Sequence, residues 1–569
     1  MIRYATNPPR HQIPSSDFSP HLYHRPRPSS TAHTLHTPSL STRLLTFISR
    51  VRARWTYLST LLLLFWTALV YHSERHIWAS SLRSCAWESW EHWPTGATPS
   101  RIALVADPQL VDIHTYSRRG LGMAATIFYS DLYLSRAWDS LHRELRPAET
   151  YFLGDLFDGG REWAPSSGAA NDAPHDPREA QDWREKGMGY WLDEFQRFVK
   201  LFPTPAGVRV KAGLPGNHDL GFGGGVRENV RGRFEAFFGA GNDRWEVGNH
   251  TFVSIDVVSL SNEQDEKIYG PPREFLDSLS RGPTSAGKLP HMVETTASGP
   301  SPAAGSSSKH DLPTILLSHV PLYRPADTAC GPRREKGTSI PIFRGYQYQN
   351  VLTPAISSEL LKATGAKYVF SGDDHDACDV SHMYGTRGVV REWTVKAFSW
   401  NMGVRRPGFE LVSLWNPLHD PAPEQLEGIG QAAHAAETPE QLTARLGPEE
   451  ERDPKHEAPK PVVIHGGEET LQTRLCLLPD QIGMFLRYAI AFGGTVLLVT
   501  ADALWRRGSR RSLGTKAKGL PVDEEGKYWK PSPSARRTGW MLLGAEVVKA
   551  IAIVAVPVLA WYCGLVLSW

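Results

Sequence analysis

Lys and Arg total 62 against 60 Asp and Glu in a chain of 569 residues, a balance that excludes a dedicated nucleic-acid binder. The length exceeds what one hydrophobic core usually organises, so several domains, or one domain with long extensions, are expected.

Residues 1–54 mix Pro, Ser, His, Thr and Arg without an apolar period and read as a disordered basic tail. An apolar stretch at 55–72 follows, built on the run Leu61 to Trp66, with Trp55, Tyr57 and Tyr71 near its ends as interfacial aromatics. More than fifty residues precede it and no small-residue cleavage site follows closely, which favours a membrane span over a signal peptide. Two more spans are expected at 485–505 and 547–569. Arg50, Arg52 and Arg54 flank the first span, and Arg506, Arg507, Arg510, Arg511, Lys516, Lys518, Arg536 and Arg537 fill the loop 506–540. Both basic clusters face the cytoplasm by the positive-inside rule, which puts everything between the first two spans on the lumenal side.

Residues 76–416 have the grammar of an α/β domain. Ile102 to Ala106 is a continuous apolar run ending in Asp107, as a buried strand delivering a loop residue would be. The pattern recurs at Thr150 to Leu153, Thr314 to Leu317 and Lys367 to Phe370, with helical patterns at 127–145 and 190–202 between them. A low-complexity insertion is expected at 282–311 and a flexible tether at 417–484. Cys85, Cys330, Cys378 and Cys476 fall on the lumenal side, where disulfides are permitted; their pairing is open, with Cys330 and Cys378 candidate neighbours. Asn249-His250-Thr251 is a glycosylation sequon that this side would allow to be used.

Five polar motifs carry the chemistry: Asp107-Pro108-Gln109, Gly154-Asp155-Leu156-Phe157-Asp158, Gly216-Asn217-His218-Asp219, Ser318-His319 and Gly372-Asp373-Asp374-His375-Asp376. Carboxylates, amides and imidazoles suit divalent cations, and a two-metal phosphoesterase needs one bridging carboxylate with several terminal ligands, for which Asp155 is the bridge candidate. One Gly-Asp after a strand is ordinarily a turn. Five such pieces in one order, most of them after an apolar run, are not.

The series resembles the calcineurin-like metallophosphoesterases. The resemblance implies a four-layer αββα sandwich, one metal on Asp107, Gln109, Asp155 and His375, and a second on Asp155, Asn217, His319 and Asp373. His218, next to Asn217, is then the candidate to protonate the leaving oxygen or stabilise the transition state, with Asp219 orienting its ring. Arg161, Arg405 and Arg406 are candidate phosphate contacts. Gln109 and Asp373 stand where the general pattern has His, which makes the site richer in oxygen and favours Mn over Zn. The Ala106-Asp107-Pro108-Gln109-Leu110 start, the Gly372 to Asp376 end, Val395 to Ser399 and Gly403 to Phe409 resemble one branch of the family. That branch comprises membrane phosphodiesterases of the endoplasmic reticulum that use manganese to remove ethanolamine phosphate from GPI-anchor mannose. The resemblance implies two Mn ions, a GPI glycan or GPI-anchored protein as substrate, the bilayer as partner, and a role in ER-to-Golgi transport. Two other readings share these motifs: a membrane phosphatase of different specificity, and a GPI-cargo-binding protein that has lost turnover.

Overall fold

The computed structural model describes residues 55–163 (except 114, 115, 117 and 118), 188–280, 312–417 (except 346 and 384–387), 469–517 and 533–568. The tail 1–54, the insertion 282–311, residues 418–468 of the tether and residues 518–532 of the basic loop lie outside the described residues.

Two sheets form the centre. The first runs β13-β12-β1-β2-β3, with β1 Ser100–Val105, β2 Glu149–Phe152, β3 Arg209–Lys211, β12 Gly408–Leu414 and β13 Leu471–Leu477. The second runs β10-β11-β9-β6-β5-β4, with β4 Asp243–Val247, β5 His250–Ile255, β6 Thr314–Ser318, β9 Tyr368–Ser371, β10 Cys378–Met383 and β11 Val389–Thr394. A short hairpin, β7 Arg344–Gly345 and β8 Tyr348–Gln349, stands apart. The helices are α1 Tyr57–Tyr71, α2 Ile77–Arg83, α3 Gly120–Glu144, α4 Met188–Leu201, α5 Asn217–Leu220, α6 Glu228–Phe238, α7 Val257–Leu260, α8 Glu266–Ser280, α9 Pro354–Thr364, α10 Gln481–Ala517 and α11 Pro533–Leu567.

Strand side chains alternate between faces, and both faces of these sheets are covered, which is why the strands read as unbroken apolar runs. Ile102, Leu104, Tyr151 and Val412 of the first sheet share one core with Phe252, Ile315, Leu317 and Phe370 of the second. The alternate residues Ala103, Val105 and Phe152 instead join Leu134, Trp138 and Leu141 of α3 and Phe198 of α4, with Trp138 stacked 5.4 Å from Phe152. Val253, Ile255 and Leu316 likewise join Ile268 and Leu276 of α8 and Leu360 of α9. The order is helix, sheet, sheet, helix. In each sheet the central strands are parallel, so their carboxyl ends, where the five motifs begin, gather at one edge.

Two expectations need correction. The segment 417–484 is not wholly a tether, because Leu471–Leu477 forms β13, paired antiparallel with all of β12. Its alternating Leu, polar, Leu pattern is short and follows a low-complexity stretch, so it carries little signal alone. Of the three expected spans, two are met by helices that, among the described residues, are long and apolar enough to cross a membrane, over Gln481–Ser509 and Met541–Val566. The first is the 15-residue helix α1, shorter than the about 20 residues a span needs, and it runs directly into the polar π-turn His72–His76. Glu74 of that turn is buried in an ion pair with Arg136 of α3 and accepts a 2.6 Å hydrogen bond from the Tyr488 hydroxyl of α10.

All four cysteines on the expected lumenal side are paired: Cys330 with Cys378, and Cys85, just after α2, with Cys476 of β13. The second bridge closes a separation of 391 residues. Replacing Cys85 and Cys476 together by Ala should lower the unfolding free energy by about 3 kcal/mol. Denaturant titration of the full chain in detergent checks this, and an unchanged midpoint contradicts it.

Candidate metal centre

The site is assembled from strand ends. Asp107 and Gln109 leave β1, Asp155 leaves β2, Asn217 opens α5 beyond β3, His319 follows β6, and Asp373 and His375 follow β9. Asp107, Gln109, Asp155, Asp373 and His375 all have positive φ, between 34° and 67°. Such backbone is costly for side chains other than Gly, and five cases at one edge mark a place where geometry is held against local preference.

The carboxylate oxygens and ring nitrogens of Asp107, Asp155 and His375 lie within 4.8 Å of one another, as do those of Asp155, His319 and Asp373. Asp155 belongs to both groups, as a bridging ligand would. Gln109 Nε2 donates to Asp155 Oδ2 at 2.6 Å and lies 3.3 Å from His375 Nε2; Asn217 Oδ1 lies 3.2 Å from His319 Nε2. His319 is oriented by Nδ1, which donates to the Leu153 carbonyl at 2.7 Å, so Nε2 is turned to Asp155 at 3.3 Å and Asp373 at 3.6 Å. The structure thus brings together all seven residues singled out as ligands.

Three carboxylates in one buried place need positive charge. Asp107 is 0% exposed, Asp155 1% and Asp373 2%, and Asp107 Oδ2 and Asp373 Oδ2 have no hydrogen-bond partner. Burial, reinforced by Asp155 and Asp373, drives the Asp107 carboxyl well above its ordinary range in spite of His319. Burial also raises Asp373, to about 6, and pushes His375 down to about 3. Burial opposes charge on Asp155 as well, yet His319 and His218 hold its carboxylate below the usual range. Unpartnered buried oxygens beside neutral imidazole are what a divalent cation would satisfy, so the donor set fits two metal ions.

Glycine is required at two of these turns. Gly154 has φ +94°, and a β-carbon there would meet His319 Nδ1 at 2.5 Å. A β-carbon on Gly216 would meet Asp155 Oδ1 at 2.0 Å and its backbone N at 2.4 Å.

His218 lies next to the cluster, with its N–H donating to Asp155 Oδ1 at 2.8 Å. The orienting role expected of Asp219 is corrected. That carboxylate accepts from the backbone N–H groups of Leu156, Phe157 and Gly216 at 2.8–3.2 Å, so it splices two motif loops and is not turned to the ring. Asp158 positions the ring instead: His218 Nδ1 lies 2.5 Å from its carbonyl and 3.3 Å from its Oδ1. The second carboxylate of the Gly154 to Asp158 motif was the available signal. Arg161 donates to the Asn217 carbonyl at 2.9 Å, bracing a ligand loop. Arg405 and Arg406 are exposed; their N–H groups donate to Glu335, and Arg405 Nε donates to Asp480, so their contacts are not with the cluster. Asn249 is exposed at the β4–β5 turn with φ +55°.

Sequence reading missed a strap over the last motif. Arg334 pairs with Asp374, the N–H groups of Glu335 and Lys336 donate to Asp376 at 2.7 Å, and Cys330 is bridged to Cys378. Lys396, fully buried, lies 2.7 Å from Glu335 and 3.0 Å from Asp376. These contacts fix the loop that carries Asp373 and His375.

Gly216→Ala should cost about 3 kcal/mol of stability through overpacking against Asp155 and strip metal from the protein. Elemental analysis after dialysis measures the second effect, and full metal retention would refute the assigned contact.

Residues 100–377 match the family model described as calcineurin-like phosphoesterase. Cell division control protein 1 of Saccharomyces cerevisiae is 36% identical over 373 residues, covering 65% of this chain and 66% of that protein. Metallophosphoesterase 1 of Ailuropoda melanoleuca is 29% identical over 290 residues, covering 49% of this chain and 62% of that protein. Metallophosphoesterase 1 homolog of Drosophila melanogaster is 26% identical over 337 residues, covering 58% of this chain and 77% of that protein. The chain therefore spans about two thirds or less of the first two relatives' own length. By the matched segment and the ligand cluster inside it, residues 100–377 form a calcineurin-like metallophosphoesterase domain.

Proposed function

We propose that this chain is a membrane-anchored phosphodiesterase of the endoplasmic-reticulum lumen that removes ethanolamine phosphate from GPI-anchor mannose with two Mn ions. The observation that carries the chemistry is the shared position of Asp155 between two ligand groups. The oxygen-rich set made by Gln109 and Asp373 supports manganese. Two apolar helices and the basic residues between them support a membrane protein with its catalytic domain opposite the cytoplasm, and two disulfides in that domain suit an oxidising lumen. A cavity of about 340 Å³ is lined by Phe222, Arg227, Arg344, Gln347 and Tyr348, and the Gln347 carbonyl accepts from the side chain of Asn217. Aromatic rings, guanidinium groups and an amide are suited to a polyhydroxylated leaving group such as a glycan.

Asp107, Gln109, Asp155, Asn217, His319, Asp373 and His375 would hold the metal ions, whose chemistry when bound would be Lewis acidity toward a phosphoryl oxygen and a lowered pKa for a water. The protein's part is to hold those ligands against their own repulsion and to present a proton to the leaving oxygen. Burial disfavours charge on His218 while Asp155 favours it; Arg161 opposes and the Asp158 hydrogen bond assists, and the balance lifts the ring to about 9. With Nδ1 fixed on Asp158, Nε2 is the atom that can donate that proton.

Purified full chain with Mn should release ethanolamine phosphate from a GPI glycan bearing it; turnover confined to other phosphoesters would overturn the substrate assignment, and no turnover of any ester would favour a binding protein. His218→Ala should lower kcat by about a hundredfold or more with metal content intact. Asp158→Asn should cost about tenfold through loss of ring orientation. Full activity of His218→Ala removes His218 from the reaction, and full activity of Asp158→Asn removes the Asp158 carboxylate from its positioning.

A further inference from the structure

One apolar surface is explained neither by the core nor by the site. Helix α3 buries Met123, Ser130, Tyr133, Leu134, Ala137 and Trp138 on one face. On its first two turns Leu121, Ala124, Ala125 and Phe128 are exposed, Leu121 at 90% and Phe128 at 54%. Those positions are i, i+3, i+4 and i+7, one continuous stripe along the helix. A stripe of this kind facing water would be a liability.

Its neighbours say what covers it. Tyr129, at the end of the stripe, packs 5.3 Å from Phe485 near the start of α10. Trp400 touches Phe485 from another side at 6.1 Å. The outward side chains of the same α10 turns are apolar as well, with Ile482 at 54%, Leu486 at 59% and Ile490 at 67% exposure. The stripe is therefore continuous with the surface of a helix long and apolar enough to cross a membrane, which begins at Gln481. Phe485 lies four residues inside that helix, about 6 Å along its axis. Interfacial helices bury their apolar face about 5–10 Å into the headgroup and acyl boundary, so the two depths coincide.

We infer that the first two turns of α3 lie in the bilayer interface, with Leu121, Ala124, Ala125 and Phe128 against acyl chains. The occupant is lipid, because the stripe continues a lipid-facing surface and not a separate protein-facing one. The inference rests on the reading of α10 as a membrane span and gives that reading a consequence. Ten residues, 110–119, lie between Gln109 and the start of α3 along the chain. A phosphodiester whose lipid end stays in the leaflet could then be processed without leaving the membrane.

Spin labels test this in the full chain reconstituted in phosphatidylcholine nanodiscs. In a Cys563→Ser background, single labels go on Leu121→Cys, Phe128→Cys, Leu498→Cys in the middle of α10, and Lys267→Cys on the exposed surface of α8. Relaxation by oxygen is compared with relaxation by a water-soluble nickel chelate. Labels at 121 and 128 should be relaxed more by oxygen than by nickel, less so than the label at 498, and opposite to the label at 267. A label at 498 in lipid with 121 and 128 exposed to nickel like 267 would overturn the inference alone. A label at 498 exposed to nickel would overturn the span and the inference together, whatever the substrate.

Discussion

Asp107, Asp155 and Asp373 share one place from which water is almost wholly excluded, and much else in the domain exists to make that arrangement tolerable. Carboxylates this close and this buried repel one another and lose their hydration, which the fold cannot repay with packing. Opposite charge must come from imidazolium or from cations, and His319 and His218 together do not match three acids. The strained backbone at five motif residues, the glycines that let Gly154 and Gly216 approach His319 and Asp155, and the Asp219 splice between loops all hold the acids in place. The double sandwich is the frame for this strain. Its parallel strands, buried on both faces, bring loops from distant parts of the chain to one edge.

The strap from Cys330 to Lys336 serves the same constraint from the other side. A fully buried lysine is rarely found without a partner; Lys396 has two carboxylates, one on the strap and one on the last metal motif. With the Arg334 pair and the neighbouring disulfide, it turns a mobile-looking Gly, Pro, Arg, Lys sequence into a clamp. The loop is fixed by contacts made at Asp374 and Asp376, so its ligand residue need not fix it.

Much of this was legible in the sequence because each ligand follows a strand buried on both faces, and such strands announce themselves as apolar runs. Ile102 to Ala106 before Asp107 and Thr314 to Leu317 before His319 are examples. What escaped was long-range. The role of Asp158 depends on a ring 60 residues away, and the Cys85–Cys476 pairing joins segments 391 residues apart. β13 is a strand only because β12 offers it an edge. The stripe on α3 lies almost wholly before the helical pattern legible at 127–145, and a pattern of apolar spacing does not in any case say which face meets protein and which meets lipid.

The central claim is that Asp155 joins two metal ions in one centre, and electron paramagnetic resonance of the Mn-loaded full chain tests it most directly. Two bound Mn(II) sharing a carboxylate should give the multiline signal of an exchange-coupled pair at a stoichiometry of two per chain. A single six-line signal from one isolated Mn(II) per chain would contradict the account.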